Sequence, residues 1–207
     1  MTGWQDLHHG IEPSSVPLLR GWLRAMQTLA RPLARLRVPP TVMTALGVIF
    51  AVDAVVLAPD AALAALCSVL ASAVCDGLDG AVAVASGKAT RAGAVADTTA
   101  DRLSDAAFAV VVWRCGAPWW LAATAGGLSL GHELLRVVIA HTRRAITVAE
   151  RPTRVICTSV ALISTAISAA TWPATVCAAI WTALAVVGIW QLLRHRQQKE
   201  RLVRPDR

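Results

Sequence analysis

Long apolar stretches separated by short polar segments dominate this chain of 207 residues. Strand-type alternation is weak and alanine is abundant, so the stretches predict helices long enough to cross a hydrocarbon core of about 30 Å. Residues 155–193 carry no charge and hold two crossings, with Thr171-Trp172-Pro173 as the turn between them. We predict an all-α membrane protein with six transmembrane helices, at about residues 40–58, 61–86, 92–113, 117–140, 153–170 and 173–193.

The segment before the first apolar stretch follows a different pattern. In VPLLRGWLRAMQTLARPLARL, apolar and basic residues interleave at helical spacing. This predicts an amphipathic interfacial helix on the membrane surface, kinked or split at Pro32. The predicted organisation is a polar N-terminal tail (1–15), the surface helix (16–37), a six-helix domain (38–194) and a basic C-terminal tail (195–207).

Charge refines this interpretation. The net charge of +7 could indicate nucleic-acid binding, but 17 of the 20 basic residues fall on one side of the predicted spans. The positive-inside rule then places both termini in the cytoplasm and makes the charge topological and lipid-facing, so no nucleic-acid partner is expected. Arginine outnumbers lysine 18 to 2, which suggests a GC-rich bacterial genome and hence a multi-pass protein of the bacterial inner membrane.

Two pairs of aspartates interrupt the apolar pattern. Asp76 and Asp79 are three residues apart, Asp97 and Asp101 are four apart, and either spacing puts both carboxylates on one helical face. Carboxylates near lipid are costly without a cation, and oxygen ligands without His or Cys favour Mg²⁺, Mn²⁺ or Ca²⁺. All four lie at the predicted cytoplasmic edge. The sequence therefore predicts a site for two divalent ions, suited to phosphoryl-type transfer.

The spacing of these residues resembles a known family motif. The pattern DxxDGxxAR-x8-GxxxDxxxD marks the CDP-alcohol phosphatidyltransferases. This chain reproduces its spacing as Asp76-x2-Asp79-Gly80-x2-Ala83 followed by Gly93-x3-Asp97-x3-Asp101. Supporting matches are Pro40-Thr41-Val42-Met43-Thr44, which is similar to the family's PNxxT, and Asp101-Arg102 followed by Asp105.

The resemblance implies an enzyme that moves a phosphatidyl group from CDP-diacylglycerol to a polar alcohol and releases CMP. It implies that the four aspartates hold two Mg²⁺ or Mn²⁺ ions, and that Asp101 is also the general base for the acceptor hydroxyl. It further implies a homodimer in contact with membrane lipid. The positions it assigns to the donor nucleotide are Gly80, Ala83, Lys88, Thr90 and Gly93.

Two positions depart from the family pattern. Val84 stands where the family has arginine, and Thr41 stands where it has asparagine. Lys88 lies one helical turn after Val84, and we hypothesise that it partly replaces the missing cation. The alternatives are a weakened or altered activity, or a degenerate member of the family with a binding role.

The acceptor is predicted to carry a phosphate. Arginines bind phosphate with two parallel hydrogen bonds, and four of them surround the predicted fourth-to-fifth loop: Arg143, Arg144, Arg151 and Arg154. The segment 150–154 resembles the ERxxR of family members that use inositol phosphate, whereas 131–136 resembles a region of members that use glycerol phosphate. Inositol phosphate therefore ranks slightly ahead of glycerol 3-phosphate. The arginines could instead be positive-inside charges only.

Other readings stay open. Intramembrane carboxylates also suit a divalent-cation transporter, although clustering at one side and the flanking glycines favour the transferase. His132 and Glu133 are candidates for the acceptor site or for pairing with Arg136. Asp105, on the face of Asp97 and Asp101, is expected to support the site, and Asp53 has no assigned role.

Overall fold

The computed structural model describes residues 17–139, 147–168 and 170–203, and over these ranges the chain forms seven helices. The predicted all-α class is confirmed. The helices are α1 (Pro17–Arg35), α2 (Pro40–Leu57), α3 (Ala62–Ser86), α4 (Arg91–Arg114), α5 (Trp119–Ile139), α6 (Arg151–Ile167) and α7 (Trp172–Val203).

Three helical segments are long and apolar enough to cross a membrane, namely α2, α3 and the Trp172–Arg194 part of α7. The other predicted spans correspond to α4, α5 and α6. Charged residues interrupt the apolar sequence of α4 and α5, and α6 has 17 residues, near the lower limit for a crossing. The six-span topology therefore stays a prediction.

Helices α1 and α7 differ from the sequence-based prediction, whereas α3 ends at the predicted residue. α1 continues through Pro32 as one helix, so the predicted split does not occur. α3 ends at Ser86 because Gly87 adopts a positive φ of 63°, and Lys88 N–H then donates to the Ala83 carbonyl at 3.1 Å. α7 continues to Val203, ten residues past the predicted span, because its polar residues favour helix and no Gly or Pro follows until Pro205.

The chain divides into two compact units, Met1–Ile49 with Ala71–Asp101, and Phe50–Leu70 with Arg102–Arg207. The first unit contains α1, the first half of α2, the second half of α3 and the start of α4. Its apolar core is formed by side chains from α1, α2 and α3: Met26, Ala30, Met43, Leu78 and Val82. This core fixes the part of α3 that carries the first aspartate pair.

The second unit has a core rich in alanine, valine and cysteine around Phe108 and Trp181. Small residues let helices pack closely without lipid between them. Two hydrogen bonds join polar side chains of this unit: Trp181 Nε1 donates to Ser129 Oγ at 2.8 Å, and Ser68 Oγ donates to Asp53 Oδ2 at 2.5 Å. The second bond links α2 to α3 and gives Asp53 a structural role. Both α5 and α6 pack against α7.

Candidate functional site

Carboxylates from two helices converge in the first unit. Asp76 lies in the last three turns of α3, and Asp97 and Asp101 lie in the first three turns of α4. One carboxylate oxygen from each of the three lies within 4.8 Å of the other two, and all three residues are partly buried. The structure thus brings together one member of the first predicted pair and both members of the second.

Asp79 stands next to this cluster and is more deeply buried, with 5% of its surface exposed. Its carboxylate accepts hydrogen bonds from Thr44 Oγ1 at 2.8 Å and from Gly80 N at 2.6 Å. It lies three residues after Asp76 on α3, a spacing that puts both carboxylates on one helical face. Asp79 therefore belongs beside the three converging carboxylates, and Thr44 fixes its orientation. We name Asp76, Asp79, Asp97 and Asp101 together the acidic cluster.

Thr44 is a site residue whose role was not predicted from the sequence. It lies on α2 and closes the segment similar to the family's PNxxT, so the signal that could have found it was present. A buried carboxylate needs hydrogen-bond donors, and a hydroxyl on the facing helix supplies one. The motif residue is therefore explained by the contact it makes, 35 positions along the chain.

The backbone beneath Asp76 is packed on two sides. A Cβ added at Gly47 of α2 would lie 3.6 Å from both Cys75 Cβ and the Ser72 carbonyl oxygen. A Cβ added at Gly77 would lie 3.1 Å from Met26 Sδ of α1. Helices α1 and α2 thus approach α3 closely beside the cluster, which limits its freedom to move.

The residues predicted to face the donor nucleotide also lie in the first unit. Gly80 is exposed, and apart from its chain neighbours and the surrounding backbone of α3, no atom of the described residues comes within 4 Å of a Cβ built on it. Thr90 caps α4, because its Oγ1 accepts a hydrogen bond from Gly93 N at 3.0 Å. Ala83 is partly buried. The space at Gly80 is open in the protein itself, so a requirement for glycine there would have to come from a ligand.

The structure changes the argument for Lys88. Sequence spacing places it one helical turn after Val84, but α3 ends at Ser86 and Lys88 follows in the connection to α4. Both Lys88 and Val84 are exposed. Lys88 and Val84 therefore do not share a helical face, and spacing along α3 no longer supports the hypothesis that Lys88 replaces the family's arginine. The hypothesis stays open because Lys88 lies between the two aspartate-bearing helices.

The acidic cluster has the donor set of a hard-cation site. Oxygen ligands of Mg²⁺ and Ca²⁺ lie about 2.0–2.6 Å from the ion, so oxygens on opposite sides of one ion are about 4–5 Å apart. The measured 4.8 Å limit between the three carboxylates agrees with that span. The residues therefore fit divalent cations such as Mg²⁺ and Mn²⁺, whose preference is for oxygen ligands.

A second charged cluster occurs in the second unit and is built differently. Arg154 of α6 is 2% exposed, and its guanidinium donates to Asp105 of α4 and, at 2.9 Å, to Glu133 Oε1 of α5. It also donates to the Ala149 carbonyl at 3.1 Å. A buried arginine is stable only with such partners, so Arg154 ties three helices together.

Two further arginines complete this network. Arg102 lies 3.3 Å from Asp105 and 3.5 Å from Glu133, and Arg136 lies 3.5 Å from Glu133 and binds Glu150. Glu133 is thus shared by three arginines. We name Arg102, Asp105, Glu133, Arg136, Glu150 and Arg154 the arginine network. It contains three positive and three negative groups, so its charges balance internally.

The predicted acceptor arginines fall into three situations. Arg154 is committed to Asp105 and Glu133, so a phosphate could bind its guanidinium only by displacing one of them. Arg151 is partly buried at the start of α6. Arg143 and Arg144 lie outside the described residues. The structure thus puts the strongest arginine contacts inside the protein, a role that sequence spacing did not reveal.

The family comparison decides the resemblance. Residues 37–190 match the family model described as CDP-alcohol phosphatidyltransferase. The chain belongs to this family. The match includes every residue of the acidic cluster and of the arginine network, so both lie inside the CDP-alcohol phosphatidyltransferase domain.

Relatives of known identity narrow the comparison within the CDP-alcohol phosphatidyltransferases. The chain is 40% identical over 113 residues to proteins named phosphatidylinositol phosphate synthase from Mycobacterium bovis and Mycobacterium tuberculosis. That alignment covers 53% of this chain and about half the length of the curated relatives.

Solved structures give wider coverage. Two crystal structures of Mycobacterium tuberculosis phosphatidylinositol phosphate synthase each match with a TM-score of 0.70 and 28% identity. One, in complex with manganese and citrate, is matched over 88% of its chain and 83% of this one. The other, with CDP-DAG bound, is matched over 94% of its chain and 84% of this one.

Proposed function

We propose that this protein transfers a phosphatidyl group from CDP-diacylglycerol to a polar alcohol in the membrane and releases CMP. The observation that carries the proposal is the convergence of Asp76, Asp97 and Asp101, at the positions where the family motif has its aspartates. The acceptor is a phosphorylated alcohol, and inositol phosphate ranks before glycerol 3-phosphate because the similar proteins are phosphatidylinositol phosphate synthases.

The acidic cluster would hold two divalent cations, Mg²⁺ or Mn²⁺. Bound there, such ions would neutralise the donor's diphosphate and the charge that develops on the leaving CMP. The donor set supports this assignment, as does the manganese in the similar Mycobacterium structure. Asp79 contributes from its Thr44-bound orientation.

Asp101 is assigned as the general base. Its carboxylate takes the proton of the acceptor hydroxyl while the acceptor oxygen forms a bond to the phosphorus that carries diacylglycerol. The diphosphate bond breaks, and CMP leaves with the bonding electrons. A carboxylate beside cations would be a weak base towards a freely diffusing hydroxyl. Much of the rate therefore comes from the orientation of the bound acceptor hydroxyl towards Asp101.

The remaining predicted residues are assigned to the two substrates. Gly80, Ala83, Lys88, Thr90 and Gly93 face the donor's nucleotide, and the open space at Gly80 supports this. The acceptor phosphate is assigned to Arg143, Arg144, Arg151 and Arg154. Arg151 lies in the first turn of α6, where a cation opposes the helix dipole and a bound phosphate would offset that cost. Arg154 would contribute by exchanging one of its carboxylate partners for the phosphate.

The membrane arrangement is part of the proposal. α2 to α7 form six crossings, α1 lies at the cytoplasmic surface of a bacterial inner membrane, and both termini are cytoplasmic. The basic residues concentrated on one side of the spans support this orientation. Domain limits of 38–194 for the six-helix domain, and a homodimer, are proposed with it.

The test is a CMP-release assay on the purified full chain in detergent or nanodiscs. CDP-diacylglycerol is supplied with inositol phosphate, glycerol 3-phosphate, serine or no acceptor, each with Mg²⁺, Mn²⁺ or EDTA. We expect CMP release that needs both a divalent ion and an acceptor, with the highest rate for inositol phosphate. Size-exclusion chromatography with light scattering tests the homodimer on the same sample.

One outcome would overturn the proposal. If no acceptor supports CMP release, and vesicles containing the protein accumulate divalent cations, the acidic cluster serves transport instead. Metal-dependent CMP release with a different acceptor would keep the transferase and correct only the acceptor.

A further inference from the structure

The connection into α6 is held more tightly than a simple helix–helix loop requires. We name residues 147–150, its described part, the entry segment. Thr147 Oγ1 lies 2.9 Å from Nε2 of His132, a fully buried residue of α5. Thr147 N–H donates to the Glu150 carboxylate at 3.2 Å, and Arg136 of α5 binds the same carboxylate. The segment is therefore fixed to α5 at both ends.

Helix α7 holds the middle of the entry segment. Val148 N–H donates to Gln191 Oε1 at 3.2 Å. One turn earlier on α7, a Cβ added at Gly188 would overlap the Cβ of Ala149 and lie 3.2 Å from the His132 ring. Ala149 thus occupies the space that a side chain at position 188 would need, which explains the glycine.

The entry segment leads directly into the first turn of α6. Glu150 is the N-cap residue, but its side chain makes no capping hydrogen bond to α6, and its carboxylate binds Arg136 and Thr147 N–H. Arg151 follows it, and Arg154 one turn later donates to the Ala149 carbonyl. The path of the segment therefore sets the point from which the Arg151 side chain starts.

We propose that the entry segment is a rigid support that positions Arg151 for the acceptor phosphate, with Gln191 and Gly188 as positioning residues. The inference rests on the proposed function, because it assigns these residues to the acceptor side of that reaction. Paired hydrogen bonds between guanidinium and phosphate need a fixed distance and direction. Loosening the segment should therefore weaken binding of the phosphorylated acceptor and leave binding of CDP-diacylglycerol unchanged.

The first experiment removes the hydrogen bond from α7. Gln191→Leu is made in the full chain, and the KM of each substrate is measured. The acceptor is inositol phosphate or glycerol 3-phosphate, whichever the unmodified protein uses faster. We expect the acceptor KM to rise about three- to tenfold, the range for one hydrogen bond, with an unchanged donor KM. Gln191→Glu keeps an oxygen for Val148 N–H and should restore the acceptor KM.

A matched control lies on the same helix. Gln197 is exposed on α7, so Gln197→Leu makes the same chemical change away from the entry segment. Both KM values should stay at those of the unmodified protein. A rise in the acceptor KM of Gln197→Leu equal to that of Gln191→Leu would overturn the inference.

The second experiment uses the tight contact. Gly188→Ala should raise the acceptor KM, because its Cβ displaces Ala149. Combining it with Ala149→Gly removes the overlapping atom and should bring the acceptor KM back towards the original value. If Gly188→Ala fails to fold, Gln191→Leu alone decides the inference.

The outcomes separate this inference from the proposed function. If Gln191→Leu leaves the acceptor KM unchanged, or raises both KM values equally, the positioning role is overturned while the transferase stands. If the unmodified protein releases no CMP with any acceptor, the proposed function fails, and the inference fails with it.

Discussion

The two charged clusters of this molecule follow opposite rules. The acidic cluster of the first unit gathers like charges, with three carboxylates within 4.8 Å and Asp79 beside them. The arginine network of the second unit has three arginines and three carboxylates in mutual contact. Like charges at such distances repel one another, whereas in a balanced network each charge offsets the burial of its partners, and removing one of them leaves a buried charge unpaired.

The contrast separates a cation-binding site from a structural ion-pair network. A cluster of several carboxylates is a donor set for a divalent cation, which would reduce the repulsion among them. A cluster whose charges balance explains itself by the helices it joins. Substitutions in the acidic cluster should therefore mainly lower activity, whereas substitutions in the arginine network should mainly lower stability.

The largest effect is expected for Asp101→Asn. Loss of the proposed base and of one cation ligand should lower the rate of CMP release by about 10²- to 10⁴-fold, the usual contribution of general acid–base catalysis. In EDTA the apparent Tm should not fall, because one of several like charges has been removed. CMP release and thermal unfolding in detergent measure the two effects.

Asp60→Asn is the matched control, since Asp60 is exposed in the connection between α2 and α3. It should keep both rate and Tm. If Asp101→Asn lowers the Tm in EDTA and retains activity, the acidic cluster is a structural feature, and the two clusters do not differ in the proposed way.

Glu133→Gln should show the opposite behaviour. The change leaves three arginines with one fewer counter-charge, and breaking a buried ion pair costs about 3–5 kcal/mol. We expect a clear fall in the Tm measured in EDTA, where cation binding makes no contribution. Asp60→Asn, at an exposed carboxylate outside the network, provides the control and should leave the Tm unchanged. A stable Glu133→Gln would show that the network contributes little to folding.

The features that could be predicted from the sequence are those that depend on residue spacing along a single helix. Six apolar stretches and one amphipathic segment predicted the seven helices, but α1 is not split at Pro32 and α7 extends beyond residue 193, where the polar composition resembled a tail. The aspartates of the acidic cluster were found because hard-cation chemistry needs carboxylates, and spacings of three and four residues put them on one helical face. Such local signals survive in a single sequence.

Contacts between distant positions could not be read in this way. Arg154 meets Asp105 across 49 positions and Glu133 across 21, and only the packing of helices decides that they pair. Sequence reasoning consequently assigned Arg154 to a phosphate, from its place among four neighbouring arginines and from the local resemblance. Gly188 gave no sequence signal at all, because its role is to leave space for Ala149.

A smaller effect is expected at the edge of the acidic cluster. Thr44→Val keeps the side-chain shape but removes the hydroxyl that donates to Asp79. Loss of a hydrogen bond to a charged group costs about 1.5–3 kcal/mol, so the metal concentration needed for half-maximal CMP release should rise by about tenfold or more. Thr44→Ser should restore it. An unchanged metal requirement in Thr44→Val would show that Asp79 is oriented without Thr44.

The smallest effect is expected for Lys88→Ala. This variant tests whether Lys88, which lies outside α3 and α4, supplies the positive charge of the family's arginine beside the acidic cluster. Lys88 is exposed in the connection between α3 and α4, so its attraction to the donor diphosphate is screened by water and salt. We expect the donor KM to rise about two- to fivefold at low salt, within the range for exposed ion pairs, and less at high salt. Arg114→Ala, which removes an exposed cation at the other end of α4, is the control. If Lys88→Ala leaves the donor KM unchanged at low salt, Lys88 does not replace the family's arginine. In that case Val84→Arg becomes the decisive variant, because it returns the motif's cation to α3 and should lower the donor KM if the cluster still lacks one.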